Sequence, residues 1–218
     1  VVFEKGEWVS YGACGMPYYV KGTVADLDEL ISLTPEEIIE DRDIDLRRFH
    51  EVLAVDTAAR TVTVRNEDET FEQGYDHLLL ATGAAPTTPP VEGVDLDCVF
   101  TLSSLDDAEG IREALEAEEV TEDLVGSSEG AVVQFIRDRD PKRVAVVGGG
   151  YIGLEMADVL RTRGCSVHLF QRSDHVLSHY DEDVATVVEE HLREHGVTLH
   201  LGSAVEGVEG DAAGDAEA

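Results

Sequence analysis

Cys14 lies in the stretch SYGACGMPYY, residues 10–19, and has no second cysteine near it in the sequence. This spacing excludes a CxxC redox pair and a zinc-binding loop. A thiol is reactive where its surroundings stabilise the thiolate, whereas a cysteine in apolar surroundings packs as a small hydrophobic residue. On these residues alone, Cys14 is either a single redox-active sulfur or a part of the core.

A glycine-rich turn follows the apolar run RVAVV, where Gly148, Gly150 and Gly153 form the pattern GxGxxG. The next segment has apolar residues at helical spacing and ends at Gly164, and the run CSVHLF follows as a strand. In such a unit the first glycine permits a tight turn, the second admits a pyrophosphate and the third allows close helix packing. Because the helix N-terminus also favours an anion, the unit predicts a dinucleotide site.

The strand after this helix ends in LFQRSD, with Gln171 and Arg172 at its tip. A dinucleotide site normally has an acidic residue here, which binds the ribose 2′-hydroxyl of NADH. An uncharged tip beside an arginine accommodates the 2′-phosphate of NADPH, so the sequence favours NADPH. The alternative is that Arg172 is an ordinary solvated charge.

Glu4 follows the apolar run VVF, so it stands where a strand ends. If a glycine turn lies roughly 20 residues upstream, Glu4 is the ribose ligand of a second dinucleotide. Taken alone, it is an ordinary solvated glutamate. Because the chain begins without Met in what reads as the middle of a strand, we expect it to be a fragment.

The remaining elements alternate between strands and helices, which predicts an α/β fold with parallel sheets. We expect a β-hairpin over 50–66 and a buried strand over 75–86 that runs into a glycine turn. Thr34, with Pro35 and Glu37, predicts a capped helix start. An amphipathic helix is expected from Asp181 to Gly196, and a strand follows it.

The charge is strongly acidic, because 16 Lys and Arg face 47 Asp and Glu and give a net charge of −31. The apolar fraction of 43% is that of a globular protein, so the charge does not indicate disorder. We interpret it as adaptation to high salt, the alternative being a merely acidic protein. Nucleic acids and anionic membranes both require a basic face, and we expect neither as a partner.

The three cysteines, Cys14, Cys98 and Cys165, are far apart and odd in number. They form neither a disulfide framework nor a metal cluster, so we expect no metal site and a reducing, cytoplasmic environment. Cys98 and Cys165 lie in apolar surroundings and are expected to be buried. No signal peptide and no apolar run of membrane-spanning length is found in the sequence.

Four segments in this order resemble the pyridine nucleotide-disulfide oxidoreductase family: FEKGEWVSYGACGMPYYVKG, RRFHEVLAVDTAARTVTV, YDHLLLATGAAP and VVGGGYIGLEMADVL. The run around Cys14, with Pro17 and Tyr18, is most similar to the single-cysteine branch. That branch contains coenzyme A-disulfide reductases, NADH oxidases and NADH peroxidases. The resemblance implies Rossmann-like FAD and NAD(P) lobes with an inserted hairpin or meander, in a longer enzyme that forms a homodimer.

The resemblance implies a partial FAD-binding lobe over 1–115, an acidic loop or insert over 116–140, and an incomplete NAD(P)-binding lobe over 141–218. It places six residues along the FAD: Glu4, Lys5, Val52, Ala81, Thr82 and Gly83. It places the glycine turn, Gly148, Gly149, Gly150, Ile152 and Gly153, on the pyrophosphate of NAD(P)H. Tyr151 would gate the nicotinamide pocket with Glu155 beside it, and Ser10 and Arg42 would contact coenzyme A.

The implied activity is transfer of hydride from NAD(P)H through FAD to Cys14. A mixed disulfide of Cys14 with coenzyme A indicates a coenzyme A-disulfide reductase, which Arg42, the strand tip and the match around Cys14 favour. A sulfenic acid indicates a water-forming NADH oxidase or an NADH peroxidase, with oxygen or peroxide as acceptor, and a persulfide indicates sulfur reduction. The alternative from another class is a truncated nucleotide-binding module without turnover, and we expect this chain alone to be inactive.

Overall fold

The computed structural model describes residues 1–117, 133–136 and 142–209. The chain divides into two compact units. Unit 1 contains residues 1–12 and 28–84, and unit 2 contains residues 13–27 and 85–218. Most of the insert predicted at 116–140 lies outside the described residues.

The described elements alternate between strands and helices along much of the chain, which confirms the predicted α/β class. In chain order they are β1 (Val2–Phe3), α1 (Met16–Lys21), α2 (Pro35–Glu40), β2 (Leu46–Arg47), β3 (Glu51–Asp56), β4 (Thr61–Arg65), β5 (Thr70–Gly74), β6 (Val99–Phe100), α3 (Leu105–Glu116), β7 (Val133–Ile136), β8 (Arg143–Val147), α4 (Tyr151–Thr162), β9 (Ser166–Gln171), α5 (Glu182–Glu194) and β10 (Thr198–Leu201).

Unit 1 contains a three-stranded antiparallel meander in the order β3-β4-β5, and a short parallel pair of β1 with β2. The predicted hairpin over 50–66 is confirmed as β3 and β4, and β5 extends it. Asp56 closes the turn, because its Oδ1 accepts the backbone N–H groups of Ala58 and Ala59, each at 2.8 Å. Val62 and Val64 of the central strand are buried.

The start of α2 has the predicted capping box. Thr34 Oγ1 accepts from the Glu37 N–H at 3.2 Å, and Glu37 Oε2 accepts from the Thr34 N–H at 2.8 Å. Two N–H groups that an uncapped helix leaves unpaired are satisfied in this way.

The predicted buried strand over 75–86 is wrong. These residues form no strand, and Leu79 and Leu80 are 86% and 65% exposed. A strand needs a neighbouring strand for its backbone hydrogen bonds. Among the described residues no strand pairs with this segment, so its backbone lacks the neighbour that a strand requires.

Unit 2 is built on a five-stranded sheet in the order β10-β9-β8-β7-β6. The strands β8, β9 and β10 are parallel, whereas β7 and β6 join them antiparallel. The segment β8-α4-β9 is the predicted βαβ unit. Its core is made of fully buried apolar side chains from both strands and the helix, among them Val144, Val146, Met156, Leu160 and Leu169.

The last helix and strand also agree with the sequence, since α5 is followed by β10 in parallel with β9. Gly164 and Gly196 end α4 and α5 with φ of +87° and +81°, the left-handed conformation that glycine adopts at no steric cost. Among the described residues, none of the helices has the length and apolar character needed to cross a bilayer.

Candidate functional site

The glycine turn between β8 and α4 has the geometry that each of its three glycines predicts. Gly148 has φ +108°, and its N–H donates to the Phe170 carbonyl at 2.8 Å, which makes the turn tight. A Cβ on Gly150 would meet nothing within 4 Å, so the space above the turn is open. A Cβ on Gly153 would overlap the Gly148 carbonyl oxygen, so helix and turn are packed as closely as glycine allows.

The N-terminus of α4 is available for an anion. Gly150 is its N-cap residue, and no side chain caps the helix. The first N–H groups of a helix have no partner within the helix, and they carry the positive end of its dipole. An open glycine turn with uncapped N–H groups fits the pyrophosphate of a dinucleotide.

The strand tip binds the turn through a side chain. The Gly149 N–H donates to Gln171 Oε1 at 2.9 Å, so Gln171 holds the turn rather than facing solvent freely. Arg172, the next residue, is exposed, and its guanidinium makes no hydrogen bond or ion pair with any other part of the chain that the structure describes. Arg172 is therefore free to bind an anionic group beside the turn.

Two tyrosines meet at the start of α4. The hydroxyls of Tyr151 and Tyr180 are 2.6 Å apart, and the two rings meet edge to face. The hydrogen bond with Tyr180, together with partial desolvation, raises the pKa of Tyr151 above its ordinary value of 10.0. Ile152 is 45% exposed beside them, and Glu155 is exposed one turn further on.

Cys14 lies in a short 3-10 turn, Ala13–Gly15, immediately before α1. Its side chain is exposed, whereas Cys98 and Cys165 are buried as expected, at 7% and 2% exposure. Burial raises the pKa of Cys165, an effect that nearby Lys142, Arg163 and Arg161 partly offset. The structure thus makes Cys14 accessible to a substrate and keeps the other two thiols out of solvent.

The segment that carries Cys14 packs within unit 2. The Arg112 guanidinium of α3 lies 4.5 Å from the Tyr19 ring centroid of α1 and donates to the Ala25 carbonyl at 2.8 Å. Lys21, at the end of α1, forms an ion pair of 3.0 Å with Asp158 of α4. The cysteine segment and the glycine turn consequently belong to one compact unit.

The residues that the resemblance places along FAD all lie in unit 1. Glu4 follows β1 as predicted, and its Oε1 accepts from the Gly6 N–H at 2.8 Å. The Glu4 carbonyl accepts from the His50 N–H at 2.9 Å. This hydrogen bond connects Glu4 with the start of β3, the strand that contains Val52. Lys5 is exposed, Val52 is 38% exposed, and the segment Ala81, Thr82 and Gly83 is exposed and irregular.

The two predicted coenzyme A contacts also lie in unit 1. The Ser10 carbonyl accepts from the Ser32 N–H at 2.8 Å, and Arg42 is exposed just after α2. No hydrogen bond or ion pair joins these two residues to each other within the described ranges. Within the same ranges, no three or more His, Cys, Asp or Glu side chains lie together in a way that could hold a metal ion.

The sequence interpretation missed Glu189 and Tyr180. Glu189 is a buried carboxylate of α5, 4% exposed, and the run EEHLRE gives no sign that one of its glutamates differs from the others. The burial of Glu189 could have been predicted from its position in the helix. Ala185, Glu189 and Leu192 have helical spacing and form the buried stripe of α5.

The sequence matches the pyridine nucleotide-disulphide oxidoreductase family over residues 1–217. It is 38% identical over 210 residues to an NAD(P)H sulfur oxidoreductase (CoA-dependent) from Pyrococcus abyssi, covering 96% of this chain and 42% of the relative. It is 32% identical over 202 residues to a coenzyme A disulfide reductase from Staphylococcus haemolyticus, covering 92% of this chain and 40% of the relative.

A similar solved structure is an engineered water-forming NADPH oxidase bound to NADPH, derived from an enzyme of Lactobacillus brevis. The TM-score is 0.80 at 32% identity, over 97% of this chain and 42% of that chain. The fold and the sequence match together place this chain in the pyridine nucleotide-disulphide oxidoreductase family. It spans less than half the length of these relatives.

Proposed function

We propose that this chain is the nucleotide- and thiol-bearing part of a flavoprotein that passes reducing equivalents from NAD(P)H to a disulfide, with coenzyme A disulfide as the acceptor. The observation that carries the proposal is that the glycine turn and Cys14 lie in the same unit, unit 2. One compact unit contains both an open, uncapped glycine turn and the exposed Cys14, while the other two cysteines are buried.

NAD(P)H binds at the turn, its pyrophosphate on Gly148 to Gly153 and its nicotinamide end beside Tyr151, Ile152 and Glu155. This assignment is supported by the open space above Gly150 and the uncapped start of α4. A pyrophosphate there accepts hydrogen bonds from backbone N–H groups, and the helix dipole stabilises its negative charge.

NADPH is the preferred form, because β9 ends in Gln171 rather than a carboxylate and Arg172 forms no ion pair with the residues that the structure describes. The engineered NADPH oxidase supports this preference. Its substitutions include Asp to Ala, Ala to Arg and Met to Ser at three consecutive positions, the first of them 18 residues after a substituted glycine. In this chain Gln171, Arg172 and Ser173 are consecutive, and Gln171 follows Gly153 by the same 18 residues.

FAD is held by unit 1, where Glu4 binds the adenosine ribose and Lys5 and Val52 lie beside the adenosine. The segment Ala81, Thr82 and Gly83 lies along the rest of the cofactor. The fit rests on Glu4, since the hydrogen bond from Gly6 to Oε1 orients its carboxylate, and Oε2 accepts no hydrogen bond from the described residues and can accept one from a ribose hydroxyl. When bound, FAD supplies the two-electron chemistry that connects NAD(P)H with a thiol or disulfide.

Cys14 is the residue that reacts with the acceptor. Its thiolate attacks one sulfur of coenzyme A disulfide, the S–S bond breaks, and one coenzyme A thiolate leaves. The mixed disulfide between Cys14 and the second coenzyme A then takes up the electron pair that comes from NAD(P)H. The second coenzyme A is released as a thiol after protonation, and the Cys14 thiolate is restored. Ser10 and Arg42 are proposed contacts for coenzyme A, with Arg42 on a phosphate.

A second candidate is oxygen or peroxide reduction through a Cys14 sulfenic acid, favoured by the similarity to the water-forming oxidase. Persulfide reduction is a variant of the first proposal. A truncated nucleotide-binding module without turnover remains the alternative from another class.

The setting we propose is the cytoplasm of a salt-adapted cell, with the full-length protein as a homodimer. The charge of −31 supports salt adaptation, since counterions screen the repulsion between carboxylates. None of the three cysteines forms a disulfide, which supports a reducing compartment.

The test uses the full-length protein that contains this chain, loaded with FAD, and its Cys14→Ser and Cys98→Ser variants. Each is assayed with NADH and NADPH against coenzyme A disulfide, hydrogen peroxide and oxygen. We expect coenzyme A disulfide reduction in the wild type and in the Cys98 variant, and its loss in the Cys14 variant. Full activity of the Cys14 variant on every acceptor would overturn the proposal.

A further inference from the structure

Glu189 is a buried carboxylate that the proposed chemistry does not use. It lies on α5 between the buried residues Ala185 and Leu192 and is 4% exposed. Burying a carboxylate is unfavourable unless hydrogen bonds or opposite charges compensate it. The hydrogen-bond and ion-pair partners of Glu189 therefore indicate the structural role of this carboxylate.

Two of the three partners of Glu189, His175 and Val176, lie in one segment, residues 171–180, and the third, Arg193, lies on α5 itself. Glu189 Oε1 accepts from the Val176 N–H at 3.2 Å and lies 3.1 Å from His175 Nδ1, and its Oε2 lies 3.4 Å from the Arg193 guanidinium. The Val176 side chain is itself fully buried. The His175 ring also lies 3.5 Å from Glu182 Oε1, at the start of α5.

The held segment is the one that lies against the glycine turn. The Leu177 N–H donates to the Gly149 carbonyl at 2.8 Å, while the Gly149 N–H donates to Gln171 Oε1. A Cβ added to Gly149 would lie 3.0 Å from Val176 Cγ1 and 3.3 Å from Val176 Cα, so Val176 packs closely against the turn at Gly149. Both backbone groups of Gly149 are thus bound by the segment that Glu189 anchors.

Leu177 has φ +48°, a left-handed conformation that is unfavourable for a branched side chain. Such a conformation persists only where the surroundings fix it on both sides. Here the Val176 N–H is held by Glu189 before Leu177, and the Tyr180 N–H donates to the Leu177 carbonyl at 2.8 Å after it.

We propose that Glu189 is a positioning residue for coenzyme binding: it fixes residues 175–177, and these fix Gly149 and the segment that carries Arg172 and Tyr180. Glu189 touches no coenzyme itself. The inference rests on the proposed binding of NAD(P)H at the glycine turn. Without the carboxylate, the Val176 N–H is left unpaired, Leu177 relaxes, and the turn loses a contact that keeps it open in the binding geometry.

The experiment measures the dissociation constant of NADPH by isothermal titration calorimetry, on the wild-type chain and on variants of two adjacent glutamates. Glu189→Met removes the acceptor at similar volume, and Glu189→Gln keeps one acceptor oxygen for the Val176 N–H. Glu190→Met and Glu190→Gln are the controls, because Glu190 is the next residue of α5 and is exposed. The melting temperature of each variant is recorded, and binding is measured well below it.

We expect Glu189→Met to weaken NADPH binding about tenfold, Glu189→Gln to weaken it by less, and both Glu190 variants to bind as the wild type. Hydrogen exchange of the Val176 and Leu177 amides gives a second readout should Glu189→Met not fold, and it is expected to quicken in Glu189→Gln because a neutral amide oxygen is a weaker acceptor than the carboxylate. Unchanged NADPH affinity in folded Glu189→Met, or unchanged exchange in Glu189→Gln, overturns the positioning role and leaves the proposed function standing. A wild-type chain that binds neither NADPH nor NADH overturns both.

Discussion

Gln171 Oε1 accepts the Gly149 N–H at 2.9 Å, so the tip of β9 is bonded to the glycine turn before β9 in the chain. In the dinucleotide fingerprint the strand-tip residue binds the ribose. Here that side chain is engaged with the turn, and the residue after it, Arg172, is unpaired among the described residues. We therefore expect Gln171 to support the glycine turn and Arg172 to bind the coenzyme, and separate variants of the two residues distinguish these roles.

Gln171→Met is expected to weaken the binding of NADH and NADPH equally, by about three- to tenfold, the effect of one neutral hydrogen bond. The reason is that the turn supports the pyrophosphate, which both coenzymes share. Dissociation constants from calorimetry are the measurement, with Gln73→Met in β5 as the control. Weakening confined to one coenzyme would show that Gln171 contacts the ribose instead.

Arg172→Ala is expected to weaken NADPH binding about tenfold at low salt and to leave NADH binding unchanged, because only NADPH has the 2′-phosphate. Arg60→Ala is the control, since Arg60 is an exposed arginine in the turn between β3 and β4. The same titrations apply, repeated at high salt, where the difference should shrink. An equal loss for both coenzymes would contradict the assignment.

Thiol labelling of the native chain is expected to show one fast thiol and two slow ones. Cys14 is exposed, whereas Cys98 and Cys165 are buried, and burial also raises the pKa of the Cys165 thiol. The rate of reaction with a chromogenic disulfide is followed in the wild type and in Cys14→Ser and Cys98→Ser. The fast phase should disappear in Cys14→Ser alone, and its survival there would mean that another thiol is accessible.

The stability of the fold is expected to depend on pH through His168 on β9. Burial, together with neighbouring His200 and Arg143, lowers the pKa of His168 below its ordinary value near 6.5. A lowered histidine pKa contributes stability above that ordinary value, and this contribution is lost as the pH falls through the folded pKa. Free energies of unfolding at several pH values are compared for the wild type and His168→Asn.

The wild type should lose more stability than His168→Asn between about pH 7.5 and the acid side of pH 6.5, the ordinary value for histidine. Using the difference between the two proteins removes the effect of the many carboxylates, which both share. Parallel curves would mean that the neutral imidazole of His168 contributes nothing to the folded state.

Much of unit 2 was predictable from the sequence because its signals are local. The turn at Gly148, Gly150 and Gly153, the helix end at Gly164 and the strand tip at Gln171 depend on residues close together in the chain. The capping box at Thr34 is equally local, since its donor and acceptor are three residues apart.

The failures concern residues whose state depends on distant partners. Leu79 and Leu80 belong to a segment that reads as a buried strand, yet a strand also requires a neighbour for its backbone, which the sequence of that segment does not specify. Glu189 reads as one more surface glutamate, yet it is buried because Val176 and His175, more than ten residues earlier in the chain, meet it.

Salt is expected to stabilise the chain, since repulsion between carboxylates accompanies a net charge of −31. Screening shortens the Debye length from about 30 Å at 0.01 M to about 10 Å at 0.1 M. The melting temperature should therefore rise by several degrees as KCl is added over this range and beyond. A melting temperature that is constant or falls would remove the argument for salt adaptation.

The central claim is that Cys14 is the sulfur that exchanges with the acceptor. The most direct measurement is to mix the full-length protein with NADPH and coenzyme A disulfide, stop the reaction with an alkylating acid quench, and identify the modified peptide by mass spectrometry. We expect coenzyme A in a disulfide on Cys14, and we expect a Cys14→Ser variant neither to form this adduct nor to reduce coenzyme A disulfide. Turnover of coenzyme A disulfide by the Cys14→Ser variant, with no adduct on Cys14 in the wild type, would contradict the account.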